Sequence, residues 1–215
     1  MLFRSSPTIG GDVLPADAHE RIHNDKRPLV IGTMRDESRL WVAFNPAAAN
    51  FTEAQAREHF EQRFGDDAER AWKAYSDLRP GSTPAQMLAA LQSDESFRAP
   101  AWRVIDGRDA AGSPTWSYFF TWPTPVFGGV LGACHGLDIP FVFDNISVPG
   151  VELFIGQSSA HRAIADTMSG ALRQFAHTGE APWLHTDSKR TTMQVDERTD
   201  ILVDPERALY DLWNR

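Results

Sequence analysis

One histidine set between glycines does most to restrict what this chain can fold into: Leu131-Gly132-Ala133-Cys134-His135-Gly136-Leu137-Asp138-Ile139-Pro140-Phe141-Val142-Phe143. It follows an aromatic-rich segment of strand character and precedes an apolar run. Glycines at 132 and 136 let the backbone turn sharply and leave no side chains around the ring, so a substrate or a nucleophile can approach it. A histidine that only pins a turn needs no such clearance, although an isolated His-Gly pair is more often of that kind. A second segment upstream shifts the balance toward catalysis.

That segment is Pro28-Leu29-Val30-Ile31-Gly32-Thr33-Met34-Arg35-Asp36-Glu37-Ser38-Arg39-Leu40-Trp41. The short apolar run ending in Gly-Thr reads as a buried strand, followed by a turn with adjacent carboxylates. A carboxylate at the exit of a buried strand is well placed to orient an imidazole, and Glu37 and His135 can meet only through the fold. Taken alone, Asp36-Glu37 reads as a solvated first turn of a helix, where acidic residues suit the dipole.

These segments resemble the type-B carboxylesterases, the family that includes the cholinesterases and para-nitrobenzyl esterases. Ile31 to Glu37 is similar to its glycine-to-Asp-Glu segment, which puts the triad acid on Glu37; Gly132 to Phe143 is similar to its histidine segment, which puts the base on His135. Further matches are Pro7 to Pro15, with Gly10-Gly11 where the family usually has Asp-Gly; Phe175 to Pro182, like its late helix; and Thr191 to Val195, like its last edge strand. The resemblance implies an α/β fold: the C-terminal part of an α/β-hydrolase, a mostly parallel sheet with flanking helices, residues 1–215 forming one unit. It also implies the chain order nucleophile, acid, histidine.

The family's Gly-x-Ser-x-Gly elbow and its glycine-rich oxyanion loop have no counterpart in these residues. The nearest approach, Gly156-Gln157-Ser158-Ser159-Ala160, lacks the second glycine and follows the histidine; Ser158 and Ser159 read instead as a helix N-cap region. The implied activity is serine-esterase hydrolysis of a carboxylic ester, with this chain supplying acid and histidine but not the serine, and inactive in isolation. A small-molecule ester and the missing N-terminal portion of the fold are the expected partners. The competing reading is a cholinesterase-like binding or interaction module without catalysis, or a truncated relic.

Length suits one domain of about 100 to 200 residues, and 42% hydrophobic residues suit a packed core. A net charge of −8 and a pI near 5.3 argue against nucleic acid and anionic membrane as partners. Without a signal-like start or a long apolar run, a cytoplasmic location is expected. One cysteine, Cys134, precludes an intrachain disulfide and reads as a buried small hydrophobe rather than a nucleophile. No histidine or carboxylate spacing suggests a metal site, and no cofactor is expected.

Strands are expected over Pro28 to Thr33 and Trp116 to Trp122. Helices are expected over Phe51 to Leu78 with a break at Gly65-Asp66-Asp67, from Thr83-Pro84 with Met87, Leu88 and Leu91 on one face, over Ser158 to Ala176 up to Thr178-Gly179, and over Pro205 to Trp213. Among Trp102, Trp116, Trp122 and Phe127, only Phe127, in the glycine-rich loop leading to the histidine, is a pocket candidate; aromatics at strand ends more often pack. Arg35 reads as half of a surface bridge. A sheet deprived of neighbouring strands is expected to expose an edge and apolar surface.

Overall fold

A computed structural model describes residues 9–11 and 13–214; Pro7, Thr8 and Asp12 of the first family-like segment lie outside it. In chain order the elements are α1 (Ala18–Asn24), β1 (Leu29–Met34), α2 (Arg39–Ala43), α3 (Glu53–Phe64), α4 (Ala68–Leu78), α5 (Pro84–Ser93), α6 (Ala99–Ala110), β2 (Thr115–Phe120), α7 (Ile139–Val142), α8 (Glu152–Ile155), α9 (His161–Thr178), β3 (Thr192–Val195), β4 (Asp200–Leu202) and α10 (Arg207–Trp213). The sheet order is β1-β2-β3-β4, with the first two pairings parallel and β3–β4 antiparallel. The family-like strand at Thr191 to Val195 is therefore an interior strand here, and β4 forms the edge beyond it.

The aromatic sequence of β2, Thr-Trp-Ser-Tyr-Phe-Phe, suits a central strand covered on both faces, and all but Tyr118 are buried. One apolar cluster joins Met34, Phe120, Phe141, Ile164, Met168 and Val195, so α9 and the histidine loop share a core with the sheet. A second joins Phe60, Tyr75, Leu91, Trp102, Leu209 and Trp213, binding α3 to α6 and α10 into a helical layer. Strand β1 ends the sheet on the other side, and its first four residues are only partly buried. Large apolar side chains stand in solvent, among them Trp41, Phe44, Phe143 and Leu153.

Local signals explain several boundaries. Thr52 with Gln55 and Thr83 with Gln86 form capping boxes that start α3 and α5, the latter with Pro84 in its first turn. A single 3₁₀ turn, Gly65–Asp67, separates α3 from α4, and α9 stops at a left-handed Gly179. The Ser158-Ser159 expectation is corrected: α9 begins at His161, Ala160 occupies its N-cap, and the Ser158 hydroxyl accepts instead from Ala160 N–H at 3.1 Å in the turn before it.

Helix α6 has no counterpart among the sequence expectations, since Pro100 and Gly107 obscure its apolar period. Between α5 and α6 the backbone makes a π turn at Asp94–Arg98, which swings Phe97 toward His135. Arg108 of α6 is fully buried and donates to Thr115 Oγ1 and to the carbonyls of Ile22, Asp25, Arg27 and Pro114, tying α1 and the entry to β1 to the start of β2. Among the described residues no helix is long and apolar enough to cross a membrane.

Candidate active site

Strand β1 delivers its last residues into a tight turn, Arg35 to Ser38, directly beside the loop that carries His135. Asp36 and Glu37 are 1% and 4% exposed, so the turn is buried rather than the solvated helix start that the residues alone suggest. The two carboxylates face different tasks. The Asp36 N–H donates to the Ala133 carbonyl at 3.0 Å, and the Ala133 N–H donates to Asp36 Oδ2 at 3.1 Å. Arg35 and Arg39 each lie 3.3 Å from the same carboxylate.

Glu37 turns to the histidine. Its Oε1 accepts from Met34 N–H at 2.9 Å and its Oε2 lies 2.7 Å from His135 Nδ1, while its carbonyl accepts from His135 N–H at 3.3 Å. Burial pushes the Glu37 carboxyl above its ordinary value, opposed by the bonds from Met34 and His135. A carboxylate on Nδ1 favours the tautomer with its proton there, which leaves Nε2 unprotonated. The imidazole side chain is 46% exposed, so one partner is buried and the other accessible.

The glycines beside the ring have sharper reasons than clearance. Gly132 has φ +59°, and a Cβ there would sit 2.5 Å from Asp36 Oδ2: its absence makes room for the carboxylate that joins the two loops. Gly32 of β1 faces Tyr118 of β2 across the ladder, and a Cβ would fall 2.2 Å from the tyrosine ring. Tyr118 therefore lies across β1, and its hydroxyl donates to Asp138 Oδ2 at 2.7 Å, fixing the residue three beyond the histidine.

Two aromatic rings missed by sequence reasoning stand on the imidazole: Trp41 at 5.1 Å and Phe97 at 5.2 Å between centroids, themselves stacked at 6.2 Å. Trp41 lies in the acid segment, so its proximity was open to inference; Phe97 arrives through the π turn, which leaves no sequence signal. Phe127 stands 66% exposed with φ 52°, edge-on to Phe44 at 6.0 Å. Trp122 packs on Phe141, Trp116 on Phe175 and Trp102 on Tyr210. Cys134 is fully buried, and burial pushes its thiol up to about 12. Among the described residues no group of histidine, cysteine and carboxylates suits a metal ion.

Comparison with known proteins identifies the family and the fold. The carboxylesterase family model matches residues 1–205. The phenmedipham hydrolase of Pseudarthrobacter oxydans is 31% identical over 140 residues, covering 65% of this chain and 28% of that protein. The para-nitrobenzyl esterase of Bacillus subtilis (strain 168) is 28% identical over 213 residues, covering 93% and 41% respectively. The crystal structure of the carboxylesterase EST55 of Geobacillus stearothermophilus superposes with a TM-score of 0.72 at 26% identity, over 86% of this chain and 40% of that one. The chain thus spans well under half the length of each, and its sheet and flanking helices are part of an α/β-hydrolase fold. The family match over nearly the whole chain, together with a carboxylate-oriented histidine at the ends of adjacent loops, makes this chain a member of the carboxylesterase family.

Proposed function

We propose that this chain carries the acid and the base of a serine esterase that hydrolyses carboxylic esters, Glu37 being the acid and His135 the base, with the nucleophilic serine and the oxyanion hole supplied from outside these 215 residues. The observation that carries this reading is the 2.7 Å contact between Glu37 Oε2 and His135 Nδ1, with the carboxylate buried and the imidazole accessible.

In that mechanism a serine hydroxyl attacks the ester carbonyl as its proton passes to His135 Nε2. The imidazolium, stabilised by Glu37, returns the proton to the departing alcohol, leaving an acyl-enzyme. Water then repeats the sequence and releases the acid. The base pair cannot accelerate the reaction alone, because the nucleophile and the oxyanion donors provide most of the stabilisation. Phe127, exposed beside Phe44, completes the proposal as a wall of the ester pocket.

The test is hydrolysis of p-nitrophenyl butyrate by the chain alone and by the chain fused behind the front portion of the Bacillus subtilis para-nitrobenzyl esterase. The chain alone should match its His135→Ala variant and resist labelling by a serine-reactive phosphonate. The fusion should be active, and His135→Ala should lower its kcat by roughly 10⁴-fold or more. Activity of the lone chain that is phosphonate-sensitive and His135-dependent would place a nucleophile within it. A folded fusion no faster than its own variant would overturn the assignment.

A further inference from the structure

Three guanidinium groups converge beside the acid turn with too few carboxylates to serve them. A pocket of about 170 Å³ is lined by Arg35, Asp36, Arg39, Arg79 and Ser82, with the exposed Leu78 on its rim. Arg79 is the buried member, its side chain 3% exposed, and none of its three guanidinium nitrogens makes a hydrogen bond within the described chain. The carboxylate nearest to it in an ion pair, Glu206 at 3.9 Å, is taken by Arg98. Arg39, 15% exposed, has its Nε 3.3 Å from Asp36 Oδ1, an ion pair without hydrogen-bond geometry. Asp36 gives Oδ2 to Ala133 N–H and Arg35, and its Oδ1 faces Arg39, so Arg79 is left with no carboxylate of its own in the pocket. A buried guanidinium without an acceptor is costly, and buried polar groups in folded proteins are almost always satisfied.

We infer that this pocket binds an oxyanion, a carboxylate, phosphate or sulfate group, between Arg79 and the side chains of Arg35 and Arg39. An oxyanion brings several acceptor lone pairs to donors that otherwise lack them, and charge-assisted bonds of this kind are the strong ones. The volume admits a group of that size together with bound water. The inference does not depend on the esterase reading, because the pocket is lined by neither Glu37 nor His135 and requires no nucleophile.

Equilibrium dialysis of the 215-residue chain against radiolabelled inorganic phosphate, at fixed ionic strength, tests it. Saturable uptake approaching one phosphate per chain is expected. Arg79→Gln should weaken binding at least about tenfold, the scale of one lost charge-assisted bond. Arg35→Gln, at a side chain 35% exposed, should weaken it several-fold with an unchanged circular dichroism spectrum; this variant decides the matter if Arg79→Gln fails to fold. Displacement of phosphate by acetate assigns the site to carboxylates, and displacement by sulfate alone assigns it to tetrahedral anions. No saturable uptake by the unaltered chain, or equal uptake by it and the folded variants, would overturn the inference.

Discussion

Asp36 and Ala133 exchange two hydrogen bonds across 97 residues of chain, backbone N–H to carbonyl at 3.0 Å and backbone N–H to carboxylate at 3.1 Å. Each lies next to or within two residues of a member of the Glu37–His135 pair, so the bonds set the spacing of the two loops before any side chain of that pair is considered. The acid turn and the histidine loop are thereby joined by backbone and side chain alike.

Removing the carboxylate should expose that dependence. Asp36→Ala leaves a buried N–H at Ala133 and strips Arg39 of its partner, and truncating one side of such a buried charged pair costs about 3 to 5 kcal/mol. Urea unfolding should show the loss as a lower midpoint with an unchanged slope. A shift below about 1 kcal/mol would mean that the loops are held by other contacts.

Two glycines in the same loop separate strain from collision. Gly129 and Gly132 both have positive φ, at 79° and 59°, but a Cβ at Gly129 meets nothing within 4 Å whereas one at Gly132 strikes Asp36. Gly129→Ala should therefore cost about 1 to 2 kcal/mol, the penalty of a left-handed residue. Gly132→Ala should cost clearly more, and it alone should disturb the His135 resonances in an NMR spectrum. Equal costs would show that the collision is relieved elsewhere.

Much of the frame was legible because local chemistry and tertiary packing agree. The apolar run at 29–34, the aromatic strand at 115–120 and the threonine caps at 52 and 83 each declare an element without help from distant residues. The Glu37 and His135 segments were legible as motifs, and the structure brings the two side chains together. What stayed hidden depends on partners that no pattern marks. Arg108 finds acceptors at four backbone carbonyls, Phe97 reaches His135 only because the helix widens into a π turn, and Arg79 is buried by packing alone. Helix α6 was obscured by its own glycine, which is there because the His23 ring of α1 lies 2.4 Å from where its Cβ would be.

Titration of Glu37 gives a signed prediction. Its carboxyl is raised above the ordinary 4.5, mainly by burial, so the folded state prefers the proton-bound form. That preference stabilises the fold fully below pH 4.5 and is lost as pH rises through the folded-state value. Measured by urea midpoints, the stability of the unaltered chain relative to Glu37→Gln should therefore fall as pH rises above the ordinary 4.5. Parallel profiles would indicate that the carboxyl titrates as it does in the unfolded chain.

Arg108 should be among the least replaceable residues outside the site. Arg108→Ala orphans buried carbonyls at Ile22, Asp25, Arg27 and Pro114, and a loss of about 3 kcal/mol or more is expected, against the near-zero effect typical of exposed arginines. Arg108→Lys should recover only part, since an ammonium group cannot span the same set of acceptors. Thermal unfolding followed by circular dichroism reads both; a full rescue by lysine would show that charge, not the planar fork, holds the site.

The buried sulfur of Cys134 has a consequence for where such a chain can operate. With its thiol pushed up to about 12 by burial, very little of it ionises at neutral pH, and solvent does not reach it. Peroxide, disulfides and alkylating agents all need that anion. The one cysteine of the chain, the imidazole's immediate neighbour in sequence, is therefore shielded from oxidants that attack through the thiolate.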